Sequence, residues 1–288
     1  MTVVCSFQHV YGVDFSGAKK AGENTWVAHL VPDPRKSNPH RLRLIDLHRL
    51  TLLAGTADRE PALRTLVALV RQSDAALWAF DFPFGLPVEV MPPRSSWFDQ
   101  LHWVRGWGDD AYELGLECLQ RAQAAGLRMH VRRCSDDEAR APFDPYHYRI
   151  IYQTFFGMRD VIGRLAMTPR TAVLPFQYRR LSTARRVLVE SCPGSLLKKL
   201  GLPHQNYKQP AGGPLTWKRL KTRHRLMDWL AGQVVFSDGH QRVMMRNGGG
   251  DALDAVIAGV GASLGWREAD HAAIRRHPRY RREGRMFV

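Results

Sequence analysis

The sequence contains few cysteines, and their arrangement excludes two common frameworks. Four cysteines are scattered over 288 residues, none in a C-x-x-C pair, and no histidine cluster has zinc-ligand spacing. A disulfide framework and a structural zinc site are therefore not expected. Cys192, in the run ESCPG, has two interpretations. It is either a reactive thiol or a small apolar residue at a strand end, and the frequent burial of free cysteine favours the second.

Long hydrophobic runs are also missing. No stretch approaches the roughly 20 apolar residues of a transmembrane helix. The first residues, MTVVCSFQHV, have neither the basic region nor the long apolar region of a secretory signal. With 44% hydrophobic and 24% charged residues, the composition is that of a globular protein. We therefore predict a soluble cytoplasmic protein that has no membrane partner.

Acidic residues are scarce relative to basic ones. The chain has 42 Lys+Arg against 27 Asp+Glu, a formal charge of +15, and only 8 of the 42 basic residues are Lys. Arginine binds phosphate through a planar fork, which favours a polyanionic partner, although a GC-rich genome also raises arginine content. Each basic group is either a solvated face or a nucleic-acid contact. There are four groups: Arg128, Arg132 and Arg133; Arg179, Arg180, Arg185 and Arg186; Lys218, Arg219, Lys221, Arg223 and Arg225; and Arg275, Arg276, Arg279, Arg281 and Arg282.

Hydrophobic periodicity in the first third of the chain predicts strands followed by a helix. Short strands joined by hairpin-sized loops indicate an antiparallel arrangement. A continuous apolar strand after a helix is typical of a parallel strand that is covered on both faces. The predicted elements are strands at 9–15, 24–31 and 41–50, a helix at 58–73 and a strand at 75–82.

The rest of the chain predicts mainly helices. Residues 91–107, rich in Trp, Pro and Arg, are typical of a loop or an insertion, and 91–175 as a whole is predicted to be a helical insertion. The economical interpretation of residues 1–288 is one α/β domain with that insertion. The remaining predicted elements are helices at 109–126, 145–166, 193–201, 214–232 and 248–265, and strands at 184–191 and 282–288.

Carboxylates occur at matching positions in these elements. Asp14, Asp81 and Glu190 each end a predicted strand, and Asp251 and Asp254 open the last long helix. Ligands of open α/β sheets bind at the carboxyl ends of the strands. Carboxylates gathered there repel each other unless a cation neutralises them, and hard oxygen ligands suit Mg²⁺ or Mn²⁺. The set therefore predicts a metal site at this end of the sheet.

Each acid, taken alone, also has a purely structural interpretation. A turn former, a helix cap and an ion-pair partner are common roles for such residues. The order and context of the set favour the shared cation site. The structural roles would be turn formation by Asp14 and Asp81, capping by Asp251 and Asp254, and pairing of Glu190 with Arg185 or Arg186.

The order of these elements resembles a ribonuclease-H-like fold, and the run Asp251-Ala-Leu-Asp254-Ala is similar to the last motif of bacterial Holliday-junction resolvases. A more specific resemblance is to the predicted nucleases called domain of unknown function 429. It depends on GVDFSGA (12–18), AFDFPFGLP (79–87), VESCPGSLLKKLG (189–201) and GGDALDAVIAG (249–259), and YQTFFGMRDVIGRL (152–165) is similar to that family's central helix.

This resemblance implies a mixed sheet, three antiparallel strands then parallel strands, flanked by helices. It implies Asp14 as the metal ligand on the first strand, Asp81 as the acid on the fourth strand, and Asp254, with Asp251 beside it, as the final-helix acid. It also implies Mg²⁺ or Mn²⁺ as the cofactor. Glu190 matches the family's V-E-x-x-P position by resemblance only. Ribonuclease H proper uses a helical Glu after the first hairpin, and Glu60 is no convincing equivalent, which favours the resolvase-like arrangement.

Two further sets of residues are candidates for substrate binding. Arg132, Arg133 and Arg159 could hold phosphates and Gln153 a base or sugar, or they are simply exposed residues of their helices and loops. The tryptophans of the 91–107 stretch either stack on bases or pack this stretch onto the sheet. These are Trp97, Trp103 and Trp107.

Three functions are open. The first is a metal-dependent nuclease that hydrolyses phosphodiester bonds. The second is an actin-like or sugar-kinase-like phosphotransferase, with GVDFSGA as a phosphate hairpin and 247–251 as part of a nucleotide loop. The third is a nucleic-acid-binding protein without catalysis. The sequence does not distinguish DNA from RNA as the nucleic-acid partner. It also leaves the oligomeric state open, and a homodimer is one option.

Overall fold

The chain was analysed as a computed structural model, which describes residues 7–33, 40–209 and 213–288. Cys5 lies outside these residues. Seven strands form one sheet in the order β5-β6-β4-β1-β2-β3-β7. The strands are β1 (His9–Asp14), β2 (Trp26–Pro32), β3 (Leu42–Arg49), β4 (Ala76–Phe80), β5 (Thr171–Val173), β6 (Arg186–Glu190) and β7 (Val234–Val235).

The sheet is antiparallel at first and then parallel. β1 pairs antiparallel with β2, and β2 pairs antiparallel with β3. β4 runs parallel to β1, β6 parallel to β4, and β5 parallel to β6. The short β7 joins the far edge parallel to β3. This confirms the predicted α/β class with antiparallel strands preceding parallel ones, and it brings the carboxyl ends of β1, β4 and β6 to one end of the sheet.

Helices cover both faces of the sheet. Among the described residues, no helix is long and apolar enough to cross a bilayer. The helices are α1 (Ala21–Asn24), α2 (Leu50–Ala54), α3 (Arg59–Gln72), α4 (Trp97–Gly106), α5 (Ala111–Ala124), α6 (Cys134–Glu138), α7 (Ile151–Phe156), α8 (Gly163–Leu165), α9 (Pro193–Lys199), α10 (Trp217–Gln233), α11 (Asp238–Arg246), α12 (Asp251–Glu268), α13 (His271–Arg276) and α14 (Tyr280–Glu283). Short 3-10 helices span Val88–Val90 and Tyr178–Thr183, and a π-helical segment, Gly157–Ile162, joins α7 to α8.

Alternation along the strands divides the core into two layers. Val13, Trp78 and Phe80 point to one face, where α3, α4, α5 and α7 pack. Leu30 and Leu77 point to the other face, together with α9, α10 and α12. Four helices within residues 91–175, α4, α5, α7 and α8, belong to the first layer and so share the core of the sheet.

Helix α12 lies directly against the first strand. A Cβ atom at Gly12 would overlap the carbonyl oxygen of Ala255 and the backbone nitrogen of Gly259. The helix begins after Gly250, whose φ of 86° is a left-handed conformation that glycine adopts without strain. This close approach carries the amino end of α12 to the carboxyl end of β1.

Three sequence predictions differ from the structure. The stretch 91–107, predicted as a loop or insertion, contains α4, whose first turn is closed by a capping box between Ser96 and Asp99. The helix predicted from 145 begins only at Ile151. The tail predicted as a strand forms a single bridge, between Met286 and Glu190.

Candidate functional site

A cleft of about 550 Å³ opens at the carboxyl end of the parallel strands, and four of the five predicted acids line it: Asp14, Asp81, Glu190 and Asp254. Asp14 is the last residue of β1, Asp81 directly follows β4, and Asp254 lies in the first turn of α12. The Asp81 amide donates to the carbonyl of Val13 at 3.0 Å, which fixes the two strand ends side by side. The structure thus brings Asp14, Asp81 and Asp254 together.

Little positive charge offsets the negative charges of the acids in this cleft. Asp14 is 8% exposed. Burial, reinforced by Asp254 and opposed by Lys208, holds the pKa of Asp14 well above its ordinary value. Burial and the charge of Asp254 likewise raise the pKa of Asp81 to about 7. Carboxylates whose pKa values are raised by burial and by neighbouring acids are candidates for a functional site.

A lysine supplies positive charge inside the cleft. The ammonium of Lys208 pairs with one oxygen of Asp254, and the phenol of Tyr207 donates to the other oxygen at 2.9 Å. Burial disfavours the ammonium, but Asp254 and Asp14 outweigh that effect and hold the pKa of Lys208 well above its usual range. Lys208 is therefore a fixed cation at the carboxylates.

The backbone that carries Lys208 is clamped onto α10. The buried guanidinium of Arg223 donates to the carbonyl of Tyr207 at 2.6 Å, and that of Arg219 donates to the carbonyl of Lys208 at 2.7 Å. Sequence reasoning missed Tyr207 and Lys208, because they lie in an irregular segment between two helices. The one available signal is that lysine is rare in this chain, with 8 against 34 arginines.

Asp251 occupies a different position from its neighbour Asp254. It is the first residue of α12, is half-buried, and does not form part of the cleft wall. Burial raises its pKa, and a hydrogen bond with Asn247 opposes that effect. It interacts with Asp14 through its charge alone. Of the two helix acids, Asp254 is therefore the better candidate ligand.

Glu190, predicted as catalytic, is occupied by a buried ion pair. It ends β6 as predicted, but Arg133 donates to both of its oxygens, at 2.5 and 2.8 Å. The amide of Phe84 donates to it as well, at 3.0 Å. Burial raises the pKa of Glu190, and Arg133 opposes the rise. Its partner is neither Arg185 nor Arg186: Glu190 lines the cleft with both of its oxygens held by Arg133.

Arg133, predicted to bind substrate, has no free donor. Its side chain is 1% exposed. The five N–H groups of the guanidinium all donate hydrogen bonds, to Glu190, to Asp136 and to the backbone carbonyl of Glu283. Arg133 therefore has no N–H group left for a phosphate in this structure: it crosslinks β6, α6 and the last residue of α14.

The other predicted substrate residues are separated. Gln153 lines the cleft and donates to the Phe15 carbonyl at 2.5 Å. Arg159 lies in a neighbouring groove, where it pairs with Asp109 and Asp160 at 2.6 and 2.9 Å. Arg132 is 40% exposed and lies outside the cleft wall. Gln153 is thus the one member of this set beside the carboxylates.

The cysteine and tryptophans follow their structural interpretations. Cys192 lines the cleft, but burial raises the pKa of its thiol to about 12, so it is not an activated nucleophile. Trp97 is 2% exposed and stacks on Phe176 with ring centroids 3.9 Å apart. Trp103 and Trp107 are partly buried against the same core layer. Trp97 is therefore not free to stack on a base, whereas Trp103 and Trp107 keep part of their surface exposed.

The donor set of the cleft fits a hard divalent cation by its chemistry. Carboxylate oxygens are the ligands that Mg²⁺ and Mn²⁺ prefer, and three acids here face a single ammonium. Within the described residues, no three His, Cys, Asp or Glu side chains already stand in metal-binding geometry. A metal would thus require a rearrangement around Asp254, which Lys208 now contacts.

Removing the charge of Asp81 is expected to stabilise the metal-free protein. Unfolded, Asp81 ionises near 3.8, whereas in the fold its pKa is about 7. The folded state therefore holds the proton longer, and wild type loses stability as pH rises through this window. Asp81→Asn should gain about 1–2 kcal/mol at pH values above 7, because water screens this partly buried group. The gain should vanish at pH values below 4.

Urea denaturation in EDTA at several pH values measures this gain. Asp228→Asn is the matched control, since Asp228 is exposed on α10. A pH-independent difference between Asp81→Asn and wild type would contradict the prediction.

Neither a scan of protein-family models nor searches of curated proteins and of solved structures found a match to this chain. The family resemblance stays a prediction, and we infer the function from the geometry of the cleft.

Proposed function

We propose that the protein is a metal-dependent nuclease with its active site in the cleft of Asp14, Asp81 and Asp254. The observation that carries the proposal is the convergence of these three carboxylates at the carboxyl ends of adjacent strands. The pKa values of Asp14 and Asp81 are raised, first by burial and then by the charges of neighbouring acids. A bound cation would offset both effects, which supports the proposal.

The sheet supports a ribonuclease-H-like fold as part of the proposal. Three antiparallel strands are followed by parallel β4 and β6, in the order that the resemblance implies. Asp14 and Asp81 lie at the ends of adjacent β1 and β4, and α12 presents Asp254 to the same end. Fold alone does not decide function, so the proposed activity depends on the residues of the site.

Four residues of the cleft have roles in the proposed phosphodiester hydrolysis. Asp14, Asp81 and Asp254 would hold Mg²⁺ or Mn²⁺. Such an ion, when bound, activates water and stabilises the leaving oxygen. Gln153 holds the backbone after β1 in place through its hydrogen bond to the Phe15 carbonyl. Because Gln153 lies on the cleft wall, it would lie beside a bound nucleic acid.

A cleavage assay tests the proposal. The panel contains single-stranded and duplex DNA, RNA, an RNA:DNA hybrid and branched DNA, with Mg²⁺, Mn²⁺ or EDTA. Cleavage that needs the metal would support the nuclease and identify its substrate. If no substrate is cleaved and calorimetry detects ATP binding, the phosphotransferase replaces it. Metal-independent nucleic-acid binding without cleavage would leave a binding protein.

Lys208 gives a separate prediction about metal affinity. Because its ammonium contacts Asp254, the ammonium and a divalent cation compete for the same carboxylate. Lys208→Met removes the competitor and is expected to tighten Mn²⁺ binding about tenfold, which corresponds to about 1.4 kcal/mol. Isothermal titration calorimetry of the free protein measures this directly.

The matched control is Lys199→Met. Lys199 pairs with Glu268 at 2.7 Å on the surface, where both side chains are about half-exposed. This variant removes one charge and one ion pair outside the cleft and should leave Mn²⁺ affinity unchanged. Unchanged or weaker binding in Lys208→Met, with the fold intact, would show that Lys208 assists the site instead of competing with the metal.

A further inference from the structure

A second cleft, of about 640 Å³, lies beyond the β5 edge of the sheet and is lined by arginines. They come from three segments: the 3-10 helix Tyr178–Thr183, α13 and α14. We call it the arginine cleft, and its basic residues are Arg179, Arg180, Arg275, Arg276 and Arg281. Two arginine groups about a hundred positions apart in the chain thus meet at one surface.

The arginine cleft has no compensating acid. No Asp or Glu is among its lining residues, and none of its five arginines lies within ion-pair distance of a carboxylate in the described residues. Asp270, which caps α13, interacts with Arg276 through charge but does not pair with it. Some arginines elsewhere pair with carboxylates, as Arg64 does with Glu60 and Arg121 with Glu117. Convergent unpaired charges of one sign repel each other and favour a polyanion.

The floor and rim of this cleft are aromatic. Trp97 and Phe176 form the stacked floor, and the indole N–H of Trp97 is already engaged by the Phe84 carbonyl at 2.7 Å. Phe98, at the rim, is 42% exposed. An exposed ring among guanidinium groups is the combination by which proteins hold unpaired bases and their phosphates.

The two clefts border the same short segment. Arg281 of α14 lines the arginine cleft, whereas Met286, five positions later, lines the carboxylate cleft. The carbonyl of Glu283, between them, accepts from Arg133 at 3.0 Å and so fixes this segment. One extended polyanion can therefore contact both clefts across the C-terminal segment.

We propose that the arginine cleft binds the phosphate backbone of a nucleic acid whose adjoining phosphodiester lies in the carboxylate cleft. All five basic residues are arginines, and the guanidinium fork matches phosphate in a two-point contact. The exposed Phe98 distinguishes this surface from a site for an acidic peptide, which offers no planar base. The cleft needs no catalysis to bind, although its role as a substrate anchor rests on the proposed function.

Fluorescence anisotropy with labelled single-stranded and duplex DNA, in EDTA over a KCl series, tests this proposal. Arg275→Ala/Arg276→Ala should weaken binding at least about tenfold. Each lost phosphate contact should also reduce the slope of log K against log salt by about 0.7–0.9. The control is Arg242→Ala/Arg246→Ala, which removes two exposed charges from α11, beside β3. It should bind like wild type.

The outcomes separate this proposal from the nuclease proposal. If both double variants weaken DNA binding equally, the effect is one of net charge and the proposal is overturned. Unchanged DNA binding in Arg275→Ala/Arg276→Ala would also overturn it. Competition by polyglutamate as strong as by unlabelled DNA would assign the cleft to acidic peptides. A selective loss of DNA affinity, with no cleavage by wild type in Mg²⁺, would retain the arginine cleft and reject the nuclease.

Discussion

Asp14→Asn is expected to lower the rate of metal-dependent cleavage about 10³-fold or more, which corresponds to about 4 kcal/mol of lost transition-state stabilisation. Asp14 ends the central strand β1 and interacts through its charge with Asp81 and Asp254, so in the proposed mechanism it is the shared ligand of the site. Because burial already raises the pKa of Asp14, a neutral amide there should not destabilise the fold.

The measurement needs both rate and stability. Single-turnover rates in Mn²⁺ report the chemistry, while circular dichroism and urea midpoints report the fold. Asp228→Asn serves again as the charge-matched control and should cleave like wild type. If Asp14→Asn cleaves at the wild-type rate, the activity belongs to another site or to a contaminant. If it unfolds, Asp14 has the structural role that its position at a strand end also allows.

Arg133→Met is expected to cost about 3–5 kcal/mol of stability, because it leaves buried carboxylates without their cation. Arg133 and Glu190 are 1% and 3% exposed at their side chains, and Asp136 is 2% exposed. Methionine fills much of the volume but supplies none of the five donated hydrogen bonds. The free energy of unfolding, from urea denaturation, measures the loss.

The adjacent residue provides the control. Arg132 is 40% exposed, and its nearest carboxylate oxygen, on Asp137, is 3.8 Å away. Arg132→Met should therefore change stability by no more than about 0.5 kcal/mol. Adding Glu190→Gln to Arg133→Met should recover part of the loss, because the uncompensated charge is then removed. Similar costs for Arg132→Met and Arg133→Met would show that the buried pair contributes little.

The part of the site that lies on regular elements could be predicted from the sequence. A strand buried on both faces has a continuous apolar run, so the polar residue that ends it is visible, and topology then places Asp14 and Asp81 together. Asp254 was visible because α12 begins after a glycine run. The separation of Asp254 from Asp251 was not visible, since both lie in one helical turn.

Contacts between distant segments could not be predicted. Glu190 and Arg133 are 57 residues apart, and nothing local marks either as the partner of the other. Lys208 lies in a loop that has no periodicity. The convergence of Arg179 and Arg275 likewise depends on how α13 packs. Helix α4 is different: its Ser96–Asp99 capping box is a local signal that the high Trp and Pro content of the stretch obscured.

The contact between Gly12 and α12 has a consequence for how the protein tolerates sequence change. Strand and helix approach each other through backbone atoms at Gly12, Ala255 and Gly259. A side chain at position 12 would push α12 away from β1 and so change the interval between Asp14 and Asp254. The dimensions of the carboxylate cleft therefore depend on the absence of a side chain at Gly12.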